Sequence, residues 1–284
     1  MKIAVSSYSF SQAMNDGRMK IQDTLPKAKQ MGFEGIEIVR GGLDDAGMRA
    51  LAKELKTISD GEGLPIIAYM VGADFLKEGL DKQVDILKKE AEVAAILGAP
   101  RMRHDSTSGV DANGKQYTVE EALPIVAEGY RRVTEFAAGL GVHTMIENHG
   151  YFFQAAERVK KLIDTVNHPN FGWLVDMGNF MCAGQKSVDA VKIAAPYAVH
   201  AHAKDFFFKS KDEYTPSQGW FGTSLGDHLR GTIIGHGAVN VPECLKILTS
   251  AGYDNWLSVE FEGMEECVKS IEFGLNNLKE MLAK

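Results

Sequence analysis

Short runs of apolar, strand-forming residues alternate along this chain with longer segments whose apolar positions recur at spacings of three and four. The short runs predict eight strands, at about 3–7, 35–39, 65–70, 101–104, 143–147, 171–176, 198–203 and 257–261. The longer segments predict helices, most clearly over Leu80–Leu97, Val119–Leu140, Ala155–Val166 and Glu265–Leu282. One phrase returns four times: a helix end, a glycine, then a short apolar strand. It is seen at Met31-Gly32-Phe33, Leu97-Gly98-Ala99, Ala138-Gly139-Leu140-Gly141-Val142 and Ala251-Gly252-Tyr253. A glycine after a helix takes the left-handed conformation without a Cβ penalty, so the phrase is the closing half of a βα unit. Alternating βα units build a parallel sheet. Eight of them in this length predict an α/β protein, a (β/α)8 TIM barrel forming one domain over residues 1–284. A doubly wound open sheet is the competing arrangement. It would carry a glycine-rich phosphate turn after strand one, where this chain has Ser6-Ser7-Tyr8-Ser9-Phe10.

One stretch breaks the rhythm. From Asp205 to about Val239 the chain reads as a long irregular loop between strands seven and eight, with Phe206-Phe207-Phe208, Trp220-Phe221 and many glycines and charges. A loop of that length inside a compact domain is usually functional. It is expected to form a lid or wall of a substrate pocket, a role compatible with packing at a subunit interface.

Composition narrows the class. Acidic residues outnumber Lys and Arg 38 to 31, a formal charge of −7, which gives no general attraction for a phosphate backbone. No run of about 18 apolar residues is present, so no membrane span is expected. The three cysteines, Cys182, Cys244 and Cys267, are odd in number and form no Cys-x-x-Cys pair, which argues against a disulfide framework or a thiolate zinc site. Met1-Lys2-Ile3-Ala4-Val5 runs directly into a strand with no leader pattern, so a cytoplasmic protein is expected.

The chemistry gathers at predicted strand ends, where barrels of this type hold their active sites. Strand five ends in Glu147-Asn148-His149 and strand six in Asp176-Met177-Gly178-Asn179. Strand seven offers His200, His202, Lys204 and Asp205, and strand eight Glu260 and Glu262. Four consecutive strands therefore aim oxygen or imidazole groups at one end of one barrel. Buried carboxylates are costly unless compensated, and a divalent cation compensates them. Three carboxylates with one histidine suit Mn²⁺, Mg²⁺ or Co²⁺, and Zn²⁺ accepts the same donors.

Glu147-Asn148-His149-Gly150, Asp176, His202-x-Lys204-Asp205, the Met31-Gly32-Phe33-x-Gly35-Ile36-Glu37 signature and Gly252-Tyr253-x-x-Trp256-Leu257-Ser258-x-Glu260 resemble the xylose-isomerase-like barrels. That family, often called sugar phosphate isomerases/epimerases, includes ketose 3-epimerases, hydroxypyruvate isomerase and inosose dehydratase. The resemblance covers nearly the whole chain and implies one divalent ion held by Glu147, Asp176, His202 and Glu260. It further implies that Glu147 and Glu260 act as the acid/base pair of a proton transfer α to a carbonyl, through a metal-stabilised enediolate. It implies a small polyhydroxylated carbonyl substrate, phosphorylated or not, and a homo-oligomer, dimer or tetramer.

The chain departs from the ketose epimerases at one position. Where they place a histidine three residues after the strand-six aspartate, it has Asn179, which hydrogen-bonds but does not relay protons near neutral pH. A lyase, in which the same intermediate expels a β-substituent, is therefore the alternative to an isomerase or epimerase. An abasic-site endonuclease of the same superfamily is a remote third, disfavoured by the acidic charge. The further substrate-binding candidates are His149, which shares Glu147's face if the strand continues, Asn179, Lys204, and Arg230 as the match to the family's arginine after strand seven. At the end of strand four, one of Arg103 and His104 is expected to line the pocket, with His104 taken as the candidate. His200 is expected to be packed inside the barrel. Tyr8 and Phe10 are candidate pocket walls, and Glu262 is expected behind the ligands or exposed.

Overall fold

The computed structural model describes residues Met1–Ala283. In chain order the elements are β1 (Lys2–Ser6), α1 (Ser11–Asn15), α2 (Ile21–Met31), β2 (Gly35–Val39), α3 (Asp45–Glu62), β3 (Ile66–Val71), α4 (Leu80–Leu97), β4 (Arg101–His104), α5 (Val119–Ala138) and β5 (His143–Glu147). They continue with α6 (Ala156–Val166), β6 (Phe171–Asp176), α7 (Ser187–Ala194), β7 (Ala198–Ala203), β8 (Asp205–Lys209), β9 (Phe221–Gly222), β10 (His228–Thr232), α8 (Val241–Ser250), β11 (Trp256–Val259) and α9 (Cys267–Leu282). Eight strands close a parallel barrel in the order β1-β11-β7-β6-β5-β4-β3-β2, the (β/α)8 arrangement the repeated phrase predicts. No helix among the described residues is long and apolar enough to cross a membrane.

The chain divides into two compact units, residues 37–174 and residues 1–36 with 175–284. In the first, β4 lies parallel to β3 and β5, with Met70 opposite Arg103 and Arg103 opposite Met145. Apolar residues at helical spacing turn inward: Val84, Leu87 and Ala91 on α4, and Val126, Tyr130 and Val133 on α5, are all buried. Each large side chain so buried contributes about 1.5–3 kcal/mol relative to exposure. Thr118 opens α5 with a capping box, its hydroxyl accepting from the Glu121 amide while the Glu121 carboxylate accepts from the Thr118 amide at 2.8 Å. The helix stops at Ala138, two residues short of the Leu140 expected from the pattern. Gly139 keeps a right-handed conformation there, and Gly141, at φ 73°, makes the left-handed turn into β5.

In the second unit, β11 lies between β1 and β7, with Ser258 opposite both Ala4 and His202. The segment from Asp205, expected as an irregular loop, instead contains a three-stranded antiparallel sheet in the order β8-β10-β9. Arg230 pairs with Phe207 and Thr232 with Asp205. The aromatic run supplies the strand propensity that the surrounding glycines obscure. Asp205 anchors the sheet's return. Its carboxylate accepts from the amides of Phe206 (2.9 Å), Gly235 (2.9 Å), Gly237 (2.9 Å) and Val239 (3.0 Å).

Candidate metal centre and its surroundings

In the second unit the ends of β6, β7 and β11 bring an acidic cluster together. Asp176 is the last residue of β6, His202 the next to last of β7, and Glu260 the first residue beyond β11. The Met177 amide donates to the His202 carbonyl at 3.1 Å and the Glu260 amide to the Ala203 carbonyl at 3.0 Å, so the three strand ends are level. His202 Nδ1 lies 3.3 Å from Glu260 Oε2 and 3.8 Å from Asp176 Oδ2. Ligands about 2.1 Å from one ion stand about 3 Å apart, so this spacing and donor set fit a divalent cation. The other Asp176 oxygen accepts from the amides of Gly178 (2.8 Å) and Asn179 (2.9 Å), which fixes the carboxylate plane.

Lys204 is buried among these acids. Its Nζ is 2.7 Å from Glu260 Oε2, 3.4 Å from Asp176 Oδ2 and 3.5 Å from Glu262 Oε2, and it donates to Asn179 Oδ1 at 3.2 Å. Burial pushes the Glu260 carboxyl up, but Lys204 and His202 overcome this and hold it well below the usual carboxylate range. Glu262 is raised by burial, with the Lys204 ammonium opposing. Tyr8 sits at the rim, 40% exposed, its phenol raised by partial burial and by the Glu262 charge. Phe10 is fully buried, and His200 is packed inside, its Nε2 3.2 Å from Ser258 Oγ.

In the first unit, Glu147 closes β5 and its Oε2 pairs with Arg103 Nη2 at 2.5 Å. The same guanidinium lies 3.3 Å from Asp105 Oδ1, which is 2.9 Å from His149 Nδ1. Burial raises the Asp105 carboxyl, but Arg103 and His149 pull it to about 2. His149 lies beyond the end of β5, with its side chain 45% exposed. Partial burial lowers its basicity, and the Asp105 hydrogen bond more than reverses that, so its basicity is raised.

His104, the strand-four candidate, is fully buried, its ring stacked on Tyr130 at 4.2 Å and edge-on to Phe75 at 5.8 Å. Alternate residues of a strand face opposite ways, and on β4 it is Arg103 that faces Glu147. Desolvation lowers the His104 imidazole to about 4. Arg230 stands on β10 with its guanidinium over Phe207 at 4.8 Å and Trp220 at 5.8 Å, and 3.8 Å from Glu265. Two groups were missed from the candidate ligands and substrate contacts. Asp105 carries no periodic signal, and Glu37, fully buried on β2, could have been flagged as a charge inside an apolar strand. The three cysteines are free and buried.

A family model described as the xylose isomerase-like TIM barrel matches residues 25–281, and the chain belongs to that family. The inosose dehydratase of Clostridium botulinum (strain Alaska E43 / Type E3) is 25% identical over 166 residues, 57% of this chain and 55% of the relative. The chain thus matches little more than half the length of that curated relative. Among solved structures, the IolI protein with a bound zinc atom superposes with a TM-score of 0.77 at 16% identity, covering 100% of this chain and 98% of that one. The 3-keto-D-glucoside 4-epimerase YcjR of E. coli superposes with a TM-score of 0.70 at 14% identity, covering 99% of each chain. At such identities the structural likeness shows the fold alone. The proteins this barrel is similar to thus include one named as a dehydratase and one named as an epimerase.

Proposed function

We propose that this protein is a divalent-metal-dependent enzyme that moves a proton α to the carbonyl of a small polyhydroxylated substrate, as an isomerase or epimerase. Its metal ligands are Glu147, Asp176, His202 and Glu260. The observation that carries the reading is the cluster of Asp176, His202 and Glu260 on three adjacent strand ends, with donor atoms at ligand spacing. Glu147, the fourth proposed ligand, ends β5 opposite Leu174 of β6. The donor set fits Mn²⁺, Mg²⁺, Co²⁺ or Zn²⁺. When bound, such an ion polarises the carbonyl and offsets the charge that grows on its oxygen.

The remaining work falls to the side chains. Glu147 and Glu260 serve as the base and acid of the transfer, as the family resemblance implies. Lys204 holds Glu260 as an ionised carboxylate. Asn179, bridged to Lys204, presents an amide that orients a hydroxyl, and His149 and Arg230 are further substrate contacts. Solvent deuterium incorporated at the carbon next to the carbonyl, with no loss of mass, would support the reading. Absence of exchange in metal-loaded protein with every ketose, inosose and 3-keto glycoside tried would refute it.

A dehydratase is the second reading. It is favoured by Asn179, which orients but does not relay a proton, and by the likeness to an inosose dehydratase. It uses the same residues up to removal of the α-proton and then expels a β-hydroxyl as water. Loss of water from the product in the same experiment decides for it.

A further inference from the structure

His149 stands just past the end of β5 and is followed by Gly150 in the left-handed conformation, φ 79°. Its side chain is 45% exposed, and its Nδ1 lies 2.9 Å from Asp105 Oδ1. Neither packing nor charge accounts for this contact. A ring so exposed covers little apolar surface, and an ion pair between partly exposed groups adds little to stability. What the contact fixes is direction. A hydrogen bond at one imidazole nitrogen sets which way the ring points and which nitrogen carries the proton.

Asp105 is a fixed acceptor. It is the first residue beyond β4, its amide donates to the Val71 carbonyl at 3.2 Å, and its own carbonyl lies 2.9 Å from His104 Nδ1. The segment that follows is pinned. The Phe75 amide donates to the Ser106 carbonyl at 3.0 Å. The Asp74 carboxylate accepts from the Thr107 hydroxyl (2.7 Å), the Ser108 amide (2.9 Å) and the Ser108 hydroxyl (2.6 Å). Burial raises the Asp105 carboxyl, but Arg103, 3.3 Å from Oδ1, and His149 outweigh this, so the group is ionised at neutral pH. An ionised carboxylate only accepts hydrogen bonds. The His149 nitrogen that faces it is therefore the protonated one, and in the neutral ring Nε2 carries the lone pair.

We propose that Asp105 is a positioning residue: it holds His149 in the Nδ1-protonated form, so that Nε2 accepts a hydrogen bond from a substrate hydroxyl. This rests on the proton-transfer reading above, in which His149 is a substrate contact. The test has two arms on the full chain loaded with Mg²⁺. In the first, the imidazole nitrogens of histidine-labelled protein are observed by heteronuclear NMR at alkaline pH, where the rings are neutral, and His149→Gln identifies the signals of His149. The native protein should carry the proton on Nδ1, and Asp105→Ala should shift it toward Nε2. A proton on Nε2 in the native protein, or no change in Asp105→Ala, overturns the proposal. In the second arm, solvent-deuterium exchange is measured with the ketose, inosose or 3-keto glycoside that exchanges fastest. Asp105→Ala and His149→Gln should each lose about 100-fold in kcat/KM, and the double variant no more than either, because the two residues act as one unit. A further loss in the double variant would mark Asp105 as structural and overturn the proposal. Should Asp105→Ala fail to fold, Asp105→Asn, of the same shape, replaces it in both arms, since its amide can donate to Nδ1 and leave the proton on Nε2. If no carbonyl compound exchanges at all, the proton-transfer reading falls by itself, and the NMR arm still decides whether Asp105 sets the His149 ring.

Discussion

His104 and His202 are buried alike, at 0% and 1% exposure, and both lie at ends of barrel strands. Their surroundings are opposite. His104 is enclosed by Phe75 and Tyr130, with its Nδ1 2.9 Å from the Asp105 carbonyl. His202 has the Glu260 and Asp176 carboxylates within 4 Å and the Lys204 ammonium beside the same acids. Aromatic enclosure removes water and offers little to a proton, so it drives His104 to about 4. Carboxylates so placed around His202 favour a bound metal cation. Burial alone therefore says little about function. The neighbours that the strand's facing selects decide whether a histidine is packing or chemistry.

The sharpest way to break this contrast is to alter one member of each region. Glu260→Gln should slow solvent-deuterium exchange by about 10³-fold while leaving the circular dichroism spectrum intact, since an amide neither accepts the proton nor returns it. His104→Gln should lower the melting temperature and leave exchange per folded molecule within about twofold. If both variants lose exchange equally, the distinction between the regions is wrong.

The pH dependence of stability comes next. The folded state holds His104 near 4, whereas an unfolded histidine titrates near 6.5. Between those values the unfolded chain binds the proton and the folded chain does not, so stability is full above pH 6.5 and falls as pH drops toward 4. Urea unfolding should show a loss of roughly 2–3 kcal/mol between pH 7 and 4.5 that His104→Gln lacks. Parallel curves for the two proteins would show that this imidazole is not held neutral by its aromatic surroundings.

His202→Gln should weaken Mn²⁺ binding about 100-fold by calorimetry, because a neutral amide replaces an imidazole donor among the acids. The same measurement on His104→Gln should give the unaltered affinity. Weakening by both would place His104 within reach of the ion, against its observed packing.

The sequence made much of this legible. The pattern located β2, β4, β5, β6 and β7 at their observed bounds, and β6, buried on both faces, reads as a nearly unbroken apolar run. The residues of the acid cluster were legible as charges at the ends of such runs. The facing of β4 was not. Its four residues, Arg101-Met102-Arg103-His104, alternate too briefly to show which of the last two turns toward β5's Glu147, and the deciding contacts come from Phe75 and Tyr130, remote in sequence. The sheet formed by β8, β9 and β10 was equally hidden. β9 has two residues, and its pairing with β10 is set by tertiary contacts and not by local pattern. Asp205 serves as the acceptor for four backbone amides, which only the folded return of residues 235–239 reveals.

The smallest expected effect tests how far the two regions are insulated. The Tyr130 hydroxyl donates to the His104 carbonyl at 2.8 Å, in a buried position. Tyr130→Phe keeps the ring stack and removes only this donor, at a cost of about 1 kcal/mol. Unfolding by urea should register that loss, while exchange rate and Mn²⁺ affinity stay unchanged. The result matters because His104 is bonded directly to Arg103, whose guanidinium holds Glu147. If the variant slowed exchange beyond its effect on stability, the backbone of β4 would be transmitting a shift from the aromatic cluster to the Glu147 carboxylate. His104 and Tyr130 would then be positioning residues for the chemistry and not packing alone.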